Sequence, residues 1–290
     1  MKIGAHVSSA GGISKTVERG VEIGAEAIQI FGSSPQAWAF KPIPDEEIEA
    51  FRQNASQAEI GPVFLHAIYL INMGTQKGDI LEKGVQSLIK YMELASAIGA
   101  SGVIFHPGSH GGAGYDAILP QAVMAIRRVL EESPHGPRLL LENMAGMGQH
   151  IGAKFEELGR ILEAVDNPRL GVCLDTQHAF AAGYDMTTSL GIETMIDSFN
   201  REVGVENLWA VHANDSKRSC GSGVDRHDNI GEGFIGEDGF TAIMGNKAFR
   251  DVPFLLEVPG FAGPGSKSKG PDRQNIDILK RIRSDLGLSA

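Results

Sequence analysis

Short apolar runs alternate with longer amphipathic stretches along the whole chain. Lys2–Val7, Ala27–Phe31, Pro62–His66, Gly102–His106, Arg138–Glu142, Leu170–Asp175, Asn207–His212 and Pro253–Val258 read as strands. They are apolar nearly throughout, as strands buried on both faces of a parallel sheet are. Between them the period changes to that of a helix. Ile13–Gly24 reads as a helix with Val17, Val21 and Ile23 expected inward, and a second helix begins near Asp45, where Asp45, Glu46 and Glu47 place acids in the first turn. Helices follow over Ile80–Ile98, stopped by Gly99, and over Asp116–Glu131, Phe155–Val165, Ile192–Val203, Asp238–Met244 and Asn275–Leu286. A long loop joins His212 to about Gly236, and the Gly-Ser-Lys-rich piece 260–271 reads as a loop of the last unit.

Eight strand–helix units in 290 residues predict an α/β fold, a (β/α)8 TIM barrel of parallel strands forming one domain over 1–290. Six of the runs end in a residue able to bind a metal: His66, His106, Glu142, Asp175, His212 and Glu257, separated by 40, 36, 33, 37 and 45 residues. Each interval is one crossover. An open doubly wound sheet would gather its ligands at a single switch point rather than at consecutive strand ends. The barrel is therefore the expected architecture, with its site at the C-terminal ends of the strands.

Composition adds limits rather than direction. The hydrophobic and charged fractions, 42% and 21%, are those of an ordinary globular chain. No apolar run approaches the roughly 20 residues that span a bilayer, and Met1–Val7 lacks the apolar core of a signal peptide, so a cytoplasmic location without membrane contact is expected. Cys173 and Cys220 do not make a disulfide framework. A formal charge of −10 argues mildly against nucleic acid as partner. Cations bound to the acids among the candidate ligands would offset part of it.

Asp175 and His178 lie three residues apart across what reads as a tight turn, and Asp225 and His227 offer alternate residues of the long loop to one ion. With these, nine residues qualify as ligands. Singly, a His or Asp at a strand end is more often a hydrogen-bonded core residue. Nine at one rim are different, because burying so many unpaired ionisable groups is prohibitively costly. A His/Asp/Glu set without thiolate suits zinc or manganese in a catalytic role. Three metals with about three protein ligands each would use the whole set, and adjacent ions suit hydrolysis of a phosphodiester.

Five segments resemble the signatures of the endonuclease IV family: Gly4–Ser8, His106–His110, Glu142–Gly146, Asp175–Asp185 and Val224–Gly233. The resemblance implies a trinuclear-zinc barrel, with manganese an option at one position. Its activity would be to cut double-stranded DNA on the 5′ side of abasic sites, leaving a 3′-hydroxyl and a 5′-deoxyribose phosphate, and to remove blocked 3′ ends. It further implies that His66, His106 and Glu142 hold one zinc. Glu142 bridges to a second, completed by Asp175, His212 and Glu257, and His178, Asp225 and His227 hold the third. Glu142 would assist a hydroxide between the first two ions. No obligate protein partner is implied.

His6 is expected either to support the ligands from behind or to be a core histidine. His110 is expected to support the site or touch phosphate, and His135 and His150 to face solvent. The resemblance also implies DNA contacts in the loops after the second and third strands, Phe31–Trp38 and His66–Asn72, where the family often carries basic residues and a tyrosine. Here Ser33 and Gln36 stand where Lys and Arg are common, and Ile68 where Pro or Ser is usual. Gln36, Tyr69, Asn72, Lys217 and Arg226 are the expected DNA contacts, with Lys154 a further phosphate candidate. Trp38 reads equally as a packing residue. Two other readings stand beside this one: a xylose-isomerase-like sugar isomerase or epimerase, and a DNA-binding homologue with reduced activity. The Asp225/His227 pair argues against the first, and the full ligand set against the second.

Overall fold

A computed structural model of the chain describes residues 1–261 and 270–290. Most of the loop expected at 260–271, residues 262–269, lies outside the described residues. Eight parallel strands close a barrel: β1 (Ile3–His6), β2 (Ala27–Phe31), β3 (Val63–His66), β4 (Gly102–Phe105), β5 (Arg138–Glu142), β6 (Leu170–Asp175), β7 (Leu208–His212) and β10 (Phe254–Leu256). They follow one another in sequence around the ring, and β10 returns to pair with β1, Gly4 opposite Leu255. Gly4 is required at the neighbouring seam, since a Cβ there would stand 2.0 Å from the carbonyl oxygen of Ala27 on β2. The predicted eight-fold barrel is the fold observed.

Seven helices alternate with the strands to make the outer layer: α1 (Lys15–Ile23), α2 (Asp45–Gln57), α3 (Gly78–Ile98), α4 (Tyr115–Glu132), α5 (Phe155–Val165), α7 (Ser189–Glu202) and α8 (Gly236–Gly245); α9 (Arg273–Asp285) follows the last strand. Their apolar faces and the outward side chains of the strands form one continuous core. The predicted bounds hold within a few residues. Gly99, in the left-handed region at φ 74°, ends α3 by donating its N–H to Ala95 and Ser96. The ends of the chain are tied across the barrel floor: the Arg283 guanidinium on α9 grips both oxygens of Glu26 at 2.7 and 2.9 Å, and Glu26 accepts from the Ile3 N–H of β1.

Two local structures depart from expectation. The segment after β6 is no simple turn: α6 (Thr176–Ala182) starts at once, because the Asp175 carboxylate caps it, Oδ1 accepting from His178 N at 2.8 Å. The long loop after β7 contains a two-residue antiparallel ladder of β8 (Asp215–Ser216) and β9 (His227–Asp228). Asp215, fully buried, organises it. Its Oδ1 accepts from the N–H groups of Ser216 and Ile235, and its Oδ2 from those of Gly231, Gly233 and Gly236, all within 3.1 Å. Gly233 has to be glycine, since a Cβ would lie 2.4 Å from Asp215 Oδ1.

Candidate metal centre

Side chains on a strand alternate between the two faces of the sheet, so the barrel interior is filled in layers. One interior layer is the apolar cluster of Ala27, Phe64, Ile104, Leu140, Cys173, Ala210 and Leu255, one residue from each of seven strands, with Gly4 at the matching place on β1. Two residues further along the same strands stand Gln29, His66, His106, Glu142, Asp175, His212 and Glu257, with His6 on β1. An apolar plug thus supports a level made wholly of imidazole, carboxylate and amide groups. β4 and β10 stop one residue short, leaving His106 and Glu257 just past the ladder. Burial pushes the Cys173 thiol up to about 11, so the one cysteine near the site stays protonated in the plug.

Three groups of side chains each bring one potential ligand atom apiece to within 4.8 Å of one another: His66, His106 and Glu142; Glu142, Asp175, His212 and Glu257; and Asp175, His178 and His227. Glu142 is the hub. Its Oε2 lies 3.2 Å from Nε2 of both His66 and His106, and its Oε1 3.1 Å from His212 Nδ1 and 3.2 Å from His178 Nδ1. Asp225 lies just outside the third group, between its imidazoles: Oδ2 is 3.3 Å from His178 Nε2 and Oδ1 is 3.3 Å from His227 Nε2. The resemblance implied Asp225 rather than Asp175 at that third position. The geometry sets Asp175 at both the second and the third groups, with Asp225 flanking the latter.

The way the imidazoles are held is the test of whether a cation fits. His66 Nδ1 lies 2.7 Å from the Ala67 carbonyl, His178 Nδ1 2.9 Å from the Asn143 carbonyl and His227 Nδ1 3.4 Å from the Glu257 carbonyl. A carbonyl only accepts, so in each ring that nitrogen carries the proton and the other turns its lone pair inward. His212 is held the opposite way, by Nε2 on the Gln29 amide oxygen at 2.8 Å. The inward nitrogens His178 Nε2, His212 Nδ1 and His227 Nε2, with Glu142 Oε1, are buried and have no hydrogen-bond partner. They approach carboxylates closely without being aimed at them. Lone pairs directed at common points are what cations of the zinc or manganese type require, and the nitrogen and oxygen donor set suits them.

The electrostatics agree. Burial alone would push Glu142 up, but His212 and His106 beside it hold it well below the usual carboxylate range. Burial opposes ionisation of Asp225 too, yet His178 outweighs it and draws that carboxyl down to about 2, and Glu257 is lowered by His212 and His6. Conversely His178 and His212 rise well above an ordinary imidazole despite burial, His178 chiefly through Asp175. Without ions, protons on the inward nitrogens of these rings offset the buried acids, and the lone pairs are freed as those protons leave. Cations would displace the protons, so binding releases them.

A family model described as xylose isomerase-like TIM barrel matches residues 17–282. A probable endonuclease 4 of Halothermothrix orenii is 41% identical over 282 residues, covering 97% of this chain and 100% of its own. The probable endonuclease 4 of Haloarcula marismortui is 42% identical over 285 residues, 98% of this chain and 100% of its own. The chain belongs to the endonuclease IV family. The crystal structure of endonuclease IV from Thermus thermophilus superposes with a TM-score of 0.84 at 36% identity, covering 98% of this chain and 100% of the other. A D-tagatose 3-epimerase-like protein has a TM-score of 0.74 at 20% identity, which is likeness of fold alone.

Relative to what the endonuclease IV resemblance implied, the rim is partly rearranged. Tyr69 is half exposed at the mouth, its ring edge-on to His66 at 5.5 Å. It lines a cavity of about 320 Å³ with His66, His106, Glu142, His178 and Asp225. Gln36, Arg226, Lys154 and Lys217 are all exposed, Lys217 with its Nζ 3.9 Å from Asp228 Oδ1. Asn72 has a structural task instead of a free face: its Oδ1 accepts from Gly74 N and Ser109 N, tying two loops. Ser33 points inward, 3.0 Å from the Tyr91 hydroxyl, and Trp38 packs against the core.

His6 lies against a candidate ligand, its Nδ1 3.1 Å from Glu257 Oε1. His110 closes its own loop, Nδ1 accepting from Gly114 N. His135 is exposed, but His150 is not a solvent-facing loop residue. It lines the same cavity as Tyr69, and a bridge to Ser109 ties its loop there. Missed altogether were Gln29, Asn143 and Asn214. Asn143 Oδ1 accepts from Asp175 N at 2.6 Å, and Asn214 donates to Asp175 Oδ2 at 2.7 Å while accepting from Glu257 N at 2.8 Å. The available signal was a polar residue at an inward position of an apolar strand, as in Ala27-Ile28-Gln29-Ile30-Phe31.

Proposed function

We propose that this member of the endonuclease IV family is a zinc-dependent DNA repair endonuclease. It incises double-stranded DNA on the 5′ side of abasic sites, leaving a 3′-hydroxyl and a 5′-deoxyribose phosphate, and clears blocked 3′ ends. Family membership supports a DNA-cleaving hydrolase. The observation that carries the metal dependence is the buried, Glu142-centred set of inward lone pairs without hydrogen-bond partners. Three zinc ions are the proposed complement, with manganese the alternative at one position, and His66, His106, Glu142, Asp175, His178, His212, Asp225, His227 and Glu257 the ligands.

Bound divalent ions supply positive charge for phosphoryl oxygens and acidify an attacking water. The chain does the rest. Glu142, held ionised, offers Oε1 to take the proton of that water. The plug beneath excludes bulk solvent, and Tyr69 walls the mouth against which the opened strand rests. Gln36, Arg226 and Lys217 are proposed to hold flanking phosphates. Asn72 is proposed to act through the loop it ties. No helix among the described residues is long and apolar enough to cross a membrane, in keeping with a cytoplasmic repair enzyme.

Metal analysis of the purified protein beside incision of a duplex containing one abasic site tests this. About three zinc per chain and a 3′-hydroxyl product are expected. One metal, no incision and turnover of a ketose would replace the reading with a sugar isomerase.

A further inference from the structure

Of the eight interior positions above the plug, six carry proposed ligands, and His6 and Gln29 fill the other two. Gln29 is fully buried and touches three side chains. Its Oε1 is 2.8 Å from His212 Nε2, and its Nε2 is 2.6 Å from Glu257 Oε1 and 2.9 Å from His6 Nδ1. An amide can be placed in either of two senses, and the hydrogen-bond network decides which. Reversed, its oxygen would lie 2.6 Å from a carboxylate oxygen with no proton between them. Its oxygen therefore faces His212, and His212 Nε2 must be the donor.

That fixes the other face of the ring. Nδ1 carries the lone pair, buried and without a hydrogen-bond partner, 3.1 Å from Glu142 Oε1 and 3.3 Å from Glu257 Oε2. The same amide holds Glu257 by Oε1, which leaves Oε2 facing His212. We propose that Gln29 is a positioning residue that selects the Nδ1-binding tautomer of His212 and turns Glu257, so that one ion position is formed before the metal arrives. Backbone carbonyls do this for His66, His178 and His227, where no substitution can remove them. For His212 the task falls to a side chain. This rests on the metal-centre reading above.

The test is Gln29→Met in the full chain, an apolar side chain of similar length, with two readouts. Competition with a zinc chelator should show one ion held about 10–100-fold more weakly, the usual consequence of removing a ligand's outer hydrogen-bond partner, and the others unchanged. Ring-nitrogen NMR of the zinc-loaded wild type, where the ring is neutral, should place a proton on His212 Nε2, and Gln29→Met should weaken that preference. A merely structural glutamine would lower the melting temperature and move neither readout. Unchanged zinc affinities in Gln29→Met, or a wild-type His212 protonated on Nδ1 alone, would overturn the proposal. If Gln29→Met does not melt cooperatively, the wild-type spectrum decides. A wild type that takes up no zinc refutes the metal reading and this role with it; zinc uptake equal in wild type and variant refutes the role of Gln29 alone.

Discussion

Glu142→Gln separates the metal reading from a purely structural one. The side chain is fully buried and glutamine has nearly its shape, so the plug beneath and the strands beside it keep their packing. What changes is the hub of two ligand groups. The group of His66, His106 and Glu142 falls to two protein ligands, and the group with Asp175, His212 and Glu257 to three. Zinc in catalytic sites is held by about three protein ligands, so the first ion is lost and the second weakened. At a thousand-fold excess over its dissociation constant one bound ion stabilises the fold by about 4 kcal/mol. With an unfolding entropy of about 0.6 kcal/mol/K for a chain this long, that is about 7 °C. Calorimetry with and without chelator measures it as the zinc-dependent increment in Tm, and removal of the proton acceptor should cut incision about 10²–10⁴-fold. Comparing increments matters because the ionised carboxylate also supports the zinc-free fold. A variant with the full zinc content, an undiminished increment and normal incision would show that Glu142 neither bridges ions nor serves the reaction.

Other outcomes follow from single contacts. Glu26 is held at about 2 because Arg283, with the Ile3 N–H, outweighs its burial. Relative to 4.5 that is at most about 3.4 kcal/mol, reduced to about 1–2 kcal/mol by solvent at a partly exposed clamp. A depressed carboxyl stabilises above its unfolded pKa and loses this as pH falls through the folded one. Urea unfolding should therefore show Glu26→Gln weaker at pH 7 and converging with wild type between about pH 4.5 and 2, whereas a constant gap would contradict the clamp. Asp215→Ala strands five backbone donors and should cost about 3–5 kcal/mol, with faster amide exchange across 215–236; protection equal to wild type would show that the carboxylate does not organise the loop. Paired Lys217→Ala and Arg226→Ala changes should flatten the log–log salt dependence of duplex binding by about 1–2, and an unchanged slope would remove both from the DNA face.

How far the sequence led depends on what each residue has to satisfy. The barrel was legible because a strand buried on both faces must be apolar throughout, and eight such runs leave no doubt about period. The candidate ligands at the strand ends were legible for the complementary reason, as ionisable groups closing apolar runs. The structure brings Asp175 and His178 into one candidate group, where the resemblance placed them at separate ions, and the α6 cap was not visible, since an Asp three residues before a His reads equally as a turn. His150 was misplaced because its position is set by a bridge to Ser109, a partner 41 residues away. The resemblance puts Asn72 among the DNA contacts and Ser33 where a basic residue is common, whereas their short polar side chains bond to neighbouring backbone and to Tyr91.

The amides are the instructive omission. A glutamine or asparagine carries no charge, so nothing in a sequence marks it as belonging to a metal site. Its value appears only when donor and acceptor are both spent in one direction, as Gln29 spends them between His212 and Glu257 and Asn214 between Asp175 and the Glu257 N–H. Yet the period of the strand contains the clue. Once His66, Glu142 and Asp175 set the inward parity of their strands, the plug residue two positions earlier marks the same level on β2, and that level is Gln29. A polar residue there has no water to meet and must bond to the ring of ligands. The chemistry at the rim and the amides that orient it are therefore one layer of the barrel, read from a single alternation.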